Sequence, residues 1–596
     1  MIFVEDASPQ HPDSNDGENF PNRSDSGSTQ EKKSPLSPKA KALLLIALFA
    51  VPAVATIWYF EWGPAAGPKP ITFMVPMRDG VKLATDVYLP AGQGPFPVVL
   101  YRTPYGKDSD TGPIQYVQYN IAIVTQDFRG CHDSGGVYDA WGTDAQDALD
   151  TVNWMKTQPW FNGVYGTYGG SARGITQYMQ VQAQPNIACQ MIMVGTPDLY
   201  SIALFQGGAP HMMLAQDWLN GIGHGDFYPT VFDHPLSNDA FAAARRIDDN
   251  EWQYVTWPAL HIGGWYDCFS QGTLNGFMGY QYKGGQGGAG QSRLIMGPWT
   301  HDLFNVENRS TGQLTYPNST DQSYYIGIME KMFAEKLLKT MQYGDFRTAA
   351  NVTYYVMGDI NATSDDWNRW ATANDWPVPY SNQTWYFHTD GVLNQTAPSS
   401  NSNQSYVFDP KNPVQTLGGQ NLNNDNRGPF DQRPVENGRS DILHFDTSIS
   451  TPLLITGRMW VHLFIASNCT DTDFTVKLSD EYPGGAVMNI ADGIIRIRSR
   501  LGQDQAVLMD GSGANVYEAW VDLWSTSYVF NAGHTMRISV SSSNYPRFDV
   551  NPNTGAEIRP VNASTPTVCA YNTLVMSPTN ASAILLPVPS SSPTFM

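Results

Sequence analysis

The sequence feature that most constrains the fold is a serine among glycines at residues 169–174 (GGSARG). A short β-favouring run precedes it at residues 164–168, and residues 175–182 are typical of a helix. Glycine permits a sharp turn from strand to helix that a Cβ would obstruct. The serine is then held above the sheet at a helix N-terminus, which favours developing negative charge. The arrangement fits a nucleophile elbow, although the closing glycine comes three residues after the serine and an ordinary turn has a similar composition.

The segments around this serine alternate between strand and helix patterns. Residues 81–89 have apolar side chains at every second position, which predicts a strand. Residues 145–155 repeat apolar side chains at helical spacing, and residues 325–341 are also predicted to form a helix. Continuous apolar runs, typical of buried parallel strands, occupy residues 96–101, 121–125, 191–194, 259–262, 294–296 and 352–357. This order predicts a mainly parallel, doubly wound sheet with helices on both faces.

A chain of 596 residues is too long for one domain core, so a second domain is expected. Three further segments complete the predicted organisation. Residues 204–257 interrupt the alternation and are predicted to form a small helical cap within an α/β domain spanning residues 61–380. From residue 381 to residue 596, short β-rich runs separated by Asn, Gly, Pro and Ser predict a C-terminal β-sandwich. Residues 590–596 are expected to be a frayed end.

The N-terminal region predicts a membrane anchor. Residues 1–41 are rich in Pro, Ser and Asp, a composition typical of a disordered tail. Residues 42–60 form an uncharged apolar run nearly long enough to cross a bilayer. Lysines precede that run, so the tail is expected in the cytosol and the bulk of the chain outside. A signal peptide cleaved after residues 53–55 (AVA), giving a secreted protein, is the alternative interpretation.

The charge and the cysteine spacing exclude some kinds of site, and the glycosylation motifs predict a lumenal or extracellular location. The formal charge of −20 argues against nucleic-acid binding, which requires a basic face, and is otherwise consistent with simple solubility. The five cysteines lack the spacing of a zinc site, and no metal or cofactor is expected. Repeated Asn-x-Ser/Thr motifs predict a glycoprotein, although a sequence rich in Asn, Ser and Thr also produces them. The motifs begin at Asn308, Asn318, Asn351, Asn361, Asn382, Asn394, Asn403, Asn468, Asn562 and Asn580.

An activated serine needs a nearby base and a carboxylate that orients the base. Catalytic groups in open α/β sheets lie just past the strand ends. Asp267 and His301 meet this requirement, because each follows a predicted strand and both come after Ser171 in the chain. His261 lies inside a predicted strand and is expected to be a core residue. Polar residues that only cap loops would follow the same pattern, so the residues alone leave this alternative open.

Several blocks resemble, in order, those of the cocaine esterase / X-Pro dipeptidyl-peptidase hydrolase family. In the first half they are residues 102–106 (RTPYG), 127–130 (DFRG), 169–174 (GGSARG), 264–267 (GWYD) and 297–301 (GPWTH). The C-terminal blocks are residues 522–528, 532–534 and 541–549. The resemblance covers about residues 71–575 and leaves out the N-terminal tail and predicted anchor.

The resemblance implies an α/β-hydrolase fold with a helical cap and a jelly-roll-like C-terminal domain. It implies a serine hydrolase that cleaves ester, amide or peptide substrates, with Ser171 as nucleophile, His301 as base and Asp267 as its orienter. It further implies that the Tyr105 phenol and the Ala172 backbone N–H form the oxyanion hole. By the same resemblance, Phe269 lines the acyl pocket.

Two departures from the family pattern concern specificity. Ala172 stands where family members often have an aromatic residue, which predicts a more open pocket near the serine. No clear acidic cluster is present for a substrate amine. Asp302 and the group Asp248, Asp249 and Glu251 are candidates, and a solvated helix end is the simpler interpretation of that group.

A catalytically silent binding protein on the same scaffold is the alternative function, because a fold does not fix a function. The presence of all three residues Ser171, Asp267 and His301 favours the enzyme. The oligomeric state, including a homo-oligomer, stays open.

Overall fold

The computed structural model describes residues 68–109, 112–303, 310–319, 323–362, 366–422 and 425–596. The predicted cytosolic tail (residues 1–41) and membrane anchor (residues 42–60) lie outside these ranges and stay predictions. Within the described ranges, no helix is long and apolar enough to cross a membrane.

A large, mainly parallel sheet forms the core of the N-terminal half. Its strands are, in spatial order, Ile71–Pro76, Lys82–Tyr88, Ala122–Asp127, Phe96–Thr103, Phe161–Gly170, Gln190–Met193, Ala259–Gly264, Arg293–Gly297, Val352–Val356, Arg369–Ala373 and Thr594–Phe595. Neighbours are parallel from Ala122–Asp127 through Val352–Val356 and antiparallel at both edges. The continuous apolar runs therefore form buried parallel strands, as their composition predicts.

Helices cover both faces of this sheet. The α-helices of this half, apart from the cap, are Asp144–Met155, Ala172–Met179, Ser270–Met278 and Ser323–Lys336. Val98 joins an apolar cluster with Met155 and Tyr178, whereas Val99 joins a different cluster with Met332 and Phe333. Adjacent residues of one strand thus supply separate cores on opposite faces, which confirms the predicted doubly wound layering.

Two helix boundaries differ from the sequence prediction. The helix after Ser171 begins at Ala172, three residues earlier than the apolar pattern indicates. The later helix ends at Lys336 instead of residue 341. Lys339 follows with φ of 55°, a left-handed conformation that a continuing helix excludes.

The cap consists of short helices between two strands of the sheet. Its elements are the π-helical turn Tyr200–Leu204 and the helices Met212–Gly221, Tyr228–Val231 and Ala240–Ala243. Asp239 caps the last helix, because its carboxylate accepts a hydrogen bond of 2.9 Å from the Ala242 backbone N–H. The helices lie within the predicted insertion, residues 204–257.

The C-terminal half is β-rich and packs two antiparallel sheets together. One sheet contains, in order, Leu393–Asn394, Tyr380–Phe387, Ala583–Pro589, Leu453–Ser467, Ala570–Met576 and Ser402–Phe408, with Tyr517–Phe530 also paired to Leu453–Ser467. The other contains Leu443–Ser448, Thr535–Ser541, Asp473–Glu481 and Val487–Arg496. Val461 and Ile538, one from each sheet, are fully buried in one apolar cluster.

The chain end contradicts the expected fraying at residues 590–596. Thr594 and Phe595 pair antiparallel with Thr372 and Ala371 at the edge of the large sheet. The Phe595 ring also lies 4.9 Å from the Arg369 guanidinium carbon. A two-residue edge strand has too little periodicity for detection from sequence, because its pairing depends on a distant partner.

A buried ion pair connects the β-rich domain to the cap region. Arg547 donates to Asp492 over 2.5 Å, and both side chains are almost completely buried. Asn544 donates to the second Asp492 oxygen over 2.8 Å. Arg547 also reaches Gln206 near the cap over 3.3 Å, so one guanidinium bridges the two regions.

We expect Arg547→Met to lower the free energy of unfolding by about 3–5 kcal/mol, because Asp492 would stay buried without its cation. Denaturant unfolding followed by circular dichroism measures this change. The double variant Arg547→Met/Asp492→Leu should recover part of the loss, since it removes the buried charge as well.

Arg559 provides the matched control. It pairs with Asp233 of the cap over 2.7 Å, but both side chains are more than half exposed. Arg559→Met should therefore change the free energy of unfolding far less than Arg547→Met does, because water screens an exposed pair. Equal losses for the two arginine variants would contradict the role of burial.

Candidate active site

Ser171 occupies a strained turn between the strand Phe161–Gly170 and the helix Ala172–Met179. Its φ of 59° and ψ of −128° are unfavourable for a residue with a side chain and cost on the order of 1–3 kcal/mol. The surrounding packing must supply that energy. A strained serine at this corner is the geometry expected of a nucleophile elbow.

Glycines at two positions allow the strand, turn and helix to pack closely. A Cβ on Gly169, whose φ is 150°, would lie 2.5 Å from the Arg173 Cβ. A Cβ on Gly174 would lie 2.7 Å from the Met193 carbonyl oxygen of the neighbouring strand. Gly174 thus lets the helix approach that strand, which gives the unusually late closing glycine a structural reason.

Ser171, His301 and Asp267 lie in one chain of hydrogen bonds. The Ser171 Oγ is 2.8 Å from His301 Nε2. His301 Nδ1 is 2.7 Å from Asp267 Oδ1. When Nδ1 carries the proton and donates it to the carboxylate, Nε2 is free to accept the serine proton.

The loops that hold Asp267 and His301 follow neighbouring parallel strands, Ala259–Gly264 and Arg293–Gly297. The Tyr266 backbone N–H donates to the Trp299 carbonyl over 2.9 Å, which fixes one loop against the other. A Cβ on Gly264 would lie 2.2 Å from that carbonyl oxygen, so the contact requires glycine. This close approach explains why the GWYD motif begins with glycine.

Asp267 is fully buried, and Cys268 beside it is a site residue that the sequence analysis missed. The Cys268 Sγ lies 3.5 Å from both Asp267 Oδ1 and His301 Nδ1. Burial, with the nearby Asp267 charge, raises the pKa of the Cys268 thiol well above its usual value. The thiol is therefore neutral at physiological pH, and only its position after the GWYD motif could have pointed to it.

Tyr105 and Ala172 flank the elbow. Ala172 is the first residue of its helix, where backbone N–H groups have no acceptor within the helix. The Arg173 guanidinium carbon lies 5.0 Å from the centre of the Tyr105 ring. The Tyr105 hydroxyl oxygen accepts a hydrogen bond of 2.9 Å from Trp218 Nε1 of the cap. Nothing in the sequence singled out Trp218, because one tryptophan in a helical insertion is ordinarily core.

An apolar cavity opens beside Ser171, with about 530 Å³ of empty space including its opening to solvent. The cap, the elbow and the loops around the sheet supply its walls. The lining residues, none of which is charged, are Ala140, Trp141, Ser171, Ala172, Ile175, Leu199, Ala203, Leu204, Leu214, Ala215, Trp218, Leu219, Phe227, Val231, Phe269 and Leu422. Phe269 also meets the His301 ring edge to face, with centroids 5.6 Å apart.

The other candidate polar residues lie outside this lining. Asp302 forms an ion pair with Arg427, so its carboxylate already has a positively charged partner within the protein. Asp249 is largely exposed and pairs with Lys283 over 2.7 Å, as expected of a solvated group. His261 is fully buried, and desolvation lowers its pKa to about 3, which confirms it as a core residue.

Comparisons with known proteins find similarity over most of the chain. The family model for X-Pro dipeptidyl-peptidase (S15 family) matches residues 79–230 and 224–302. The model for the X-Pro dipeptidyl-peptidase C-terminal non-catalytic domain matches residues 345–585. The chain is 31% identical over 587 residues to the cocaine esterase of Rhodococcus sp. (strain MB1 Bresler), covering 86% of this chain and 97% of that protein.

Two solved structures share the fold. An aminopeptidase from the marine sediment archaeon Thaumarchaeota archaeon superposes with a TM-score of 0.73 at 23% identity, covering 90% of this chain and 99% of the aminopeptidase. An α-amino acid ester hydrolase superposes with a TM-score of 0.72 at 23% identity, covering 90% of this chain and 100% of the hydrolase.

The close packing around Gly174 predicts the effect of adding a methyl group at that position. Gly174→Ala should destabilise the protein by about 1–3 kcal/mol and lower activity, because the added methyl would push the helix from the strand. Unfolding and turnover measured on one preparation test this expectation.

Gly327 is the control for the glycine substitution. It lies within the helix Ser323–Lys336, and a Cβ there would meet nothing within 4 Å. Gly327→Ala should therefore be neutral or stabilising, by up to about 1 kcal/mol. Normal stability and turnover in Gly174→Ala would show that the elbow tolerates the added group.

Proposed function

The chain belongs to the cocaine esterase / X-Pro dipeptidyl-peptidase (S15) hydrolase family and is a serine hydrolase, and from this premise we propose that Ser171, His301 and Asp267 form its catalytic triad. The proposal rests on one observation: an unbroken chain of short hydrogen bonds joins the three residues and ends at Ser171, which lines an apolar cavity. A silent binding protein is not favoured, because such a protein has no need of a strained serine bonded to an oriented base.

In the proposed reaction, the Ser171 Oγ attacks the carbonyl carbon of an ester or amide. His301 Nε2 takes the serine proton and then gives it to the leaving group as the tetrahedral intermediate collapses. The acyl group stays on Ser171 as an ester. A water molecule then attacks this acyl-enzyme, with His301 as base again, which releases the acid and restores the serine.

Asp267 acts by holding and stabilising the imidazole. Its Oδ1 accepts from Nδ1 and keeps the Nε2 lone pair directed at Ser171. When His301 becomes positively charged, the buried carboxylate compensates that charge where water cannot. The low dielectric of the surroundings strengthens this interaction.

Tyr105 and the Ala172 N–H are the proposed oxyanion donors. The Tyr105 oxygen accepts a hydrogen bond from the Trp218 N–H, so the phenol hydrogen remains free for donation to the oxyanion. We therefore assign Trp218 as a positioning residue for that phenol. The helix N-terminus at Ala172 adds a favourable dipole to the same charge.

The composition of the cavity supports a substrate whose acyl group is apolar and uncharged. Its lining lacks charged residues, and the nearby Asp302 is paired with Arg427. The names of the archaeal aminopeptidase and the α-amino acid ester hydrolase refer to substrates with an amine. We propose that this chain instead prefers esters whose acyl group has no ammonium beside the carbonyl.

Substitution of the nucleophile or the base tests the triad. Ser171→Ala and His301→Ala should each lower kcat on an ester by about 10⁶-fold, and the double variant should be little worse, because the triad acts as a unit. Circular dichroism verifies the fold of each variant. A Ser171→Ala protein that still turns over ester or reacts with a fluorophosphonate probe would refute the assignment.

Substitutions at the proposed oxyanion hole should lower kcat less than substitutions in the triad do. Tyr105→Phe should lower kcat roughly 10²- to 10³-fold with little change in KM, because it removes one donor used in the transition state. Trp218→Phe should lower kcat about 2- to 12-fold, since it removes one neutral hydrogen bond while an aromatic ring remains beside Trp141. An effect of Tyr105→Phe on KM alone would make Tyr105 a substrate-binding residue.

A matched substrate pair tests the acyl preference. Esters of 3-phenylpropanoic acid and of phenylalanine have the same carbon skeleton and differ by one ammonium group. The amine-free ester should have a kcat/KM more than about tenfold higher, because the cavity offers no counter-ion for a desolvated charge. A preference for the phenylalanine ester would contradict the proposed specificity while leaving the triad assignment intact.

A further inference from the structure

Three groups with metal-binding chemistry converge beneath the nucleophile. Asp267, Cys268 and His301 each offer one ligand atom, and these atoms all lie within 4.8 Å of one another. No other group of three or more such side chains occurs in the part of the chain that the structure describes. A thiolate, an imidazole nitrogen and a carboxylate oxygen together are the donor set typical of Zn²⁺.

A carboxylate oxygen in this cluster is available for a further interaction. Asp267 Oδ1 accepts from His301, whereas the buried Oδ2 has no hydrogen-bond partner among the described residues. Buried carboxylate oxygens without partners are costly and uncommon in proteins. This oxygen belongs to the carboxylate whose Oδ1 lies beside the thiol and the imidazole, so a cation held by the three groups would compensate for its missing partner.

The separations of the ligand atoms fit a tetrahedral ion. Zn–S bonds of about 2.3 Å and Zn–N or Zn–O bonds of about 2.0 Å place sulfur roughly 3.5 Å from each lighter ligand. Cys268 Sγ lies at 3.5 Å from His301 Nδ1 and 3.5 Å from Asp267 Oδ1. Only the 2.7 Å contact between Asp267 and His301 must lengthen, by about half an ångström.

We propose that Asp267, Cys268 and His301 form an inhibitory site for a thiophilic divalent cation, with Zn²⁺ as its representative. The proposed inhibition rests on the proposed function, because it acts through the catalytic base. The cation binds His301 Nδ1, Cys268 Sγ and a carboxylate oxygen of Asp267. The thiol proton leaves to solvent, so one proton is released for each ion bound.

Metal binding at Nδ1 would switch off the base by changing its tautomer. In the active state Nδ1 carries the proton and Nε2 accepts from Ser171. With the cation on Nδ1, the single proton of the neutral imidazole moves to Nε2, which then cannot accept the serine proton. The cation also replaces the bond between Asp267 and His301. Inhibition should therefore lower kcat and be reversed by a chelator.

A second cysteine–histidine contact supplies a matched control within the same protein. The Cys131 Sγ lies 3.6 Å from His224 Nε2, a separation close to that of Cys268 and His301. Cys131 is not in the three-ligand group. With two ligands instead of three, this pair should bind the cation weakly and should not control turnover.

The test measures inhibition of ester hydrolysis by Zn²⁺, with each variant normalised to its own metal-free rate. Wild type and Cys131→Ala should be inhibited alike and should recover with EDTA. Cys268→Ala should raise the inhibition constant at least about tenfold, because it removes one ligand. Cys268→Ser is the second variant, which keeps the side-chain size and removes the thiolate donor.

A binding experiment separates this proposal from the proposed function. Co²⁺ added to Ser171→Ala should give a thiolate-to-cobalt absorption band that is lost in Ser171→Ala/Cys268→Ala and kept in Ser171→Ala/Cys131→Ala. This readout needs no turnover, so it decides the metal site even if the triad assignment fails. Absence of the band, or equal Zn²⁺ inhibition of wild type and Cys268→Ala, would overturn the proposal.

Discussion

The strained backbone of Ser171 is the constraint on which the site depends. A positive φ at a residue with a side chain persists only when its surroundings compensate for the strain. Here the compensation is close packing, because the helix after Ser171 lies against the Met193 carbonyl at a distance that only Gly174 permits. The parallel sheet therefore does more than supply a core. Its neighbouring strand fixes where the serine hydroxyl points, and His301 meets that hydroxyl at 2.8 Å.

The β-rich domain stabilises the same geometry from the other side. Gln420 donates to the Trp265 carbonyl over 2.9 Å, and the Tyr266 hydroxyl donates to the Asn489 carbonyl over 3.2 Å. Both contacts hold the loop that ends at Asp267. The orientation of the carboxylate is thus set by residues more than 150 positions away, which gives a domain without triad residues a direct role in positioning the base. The buried pair of Arg547 and Asp492 extends this connection to the cap.

The sequence predicts much of the fold and of the site because those parts leave local patterns. Buried parallel strands appear as apolar runs, and Asp267 and His301 follow such runs directly. Features that depend on distant partners leave no such pattern. The strand Asp473–Glu481 alternates apolar and polar residues, which predicts one face open to solvent, yet almost all of its side chains are buried. The burial of Lys477 and Asp480 depends on distant partners, Gln432 and His534, which no local pattern reveals. The partnership of Trp218 with Tyr105 likewise exists only once the cap folds over the elbow.

The apolar surroundings of the triad serve binding and electrostatics together. Side chains that accept an uncharged acyl group also exclude water from the serine, and a low dielectric strengthens the interactions of Asp267 and the oxyanion donors. The same burial keeps Cys268 neutral, since a thiolate beside the Asp267 carboxylate would place two like charges in an apolar interior. A neutral thiol leaves the carboxylate committed to His301. Burial therefore makes the base effective, and it keeps the thiol protonated beside the carboxylate, with the Cys268 Sγ 3.5 Å from Asp267 Oδ1.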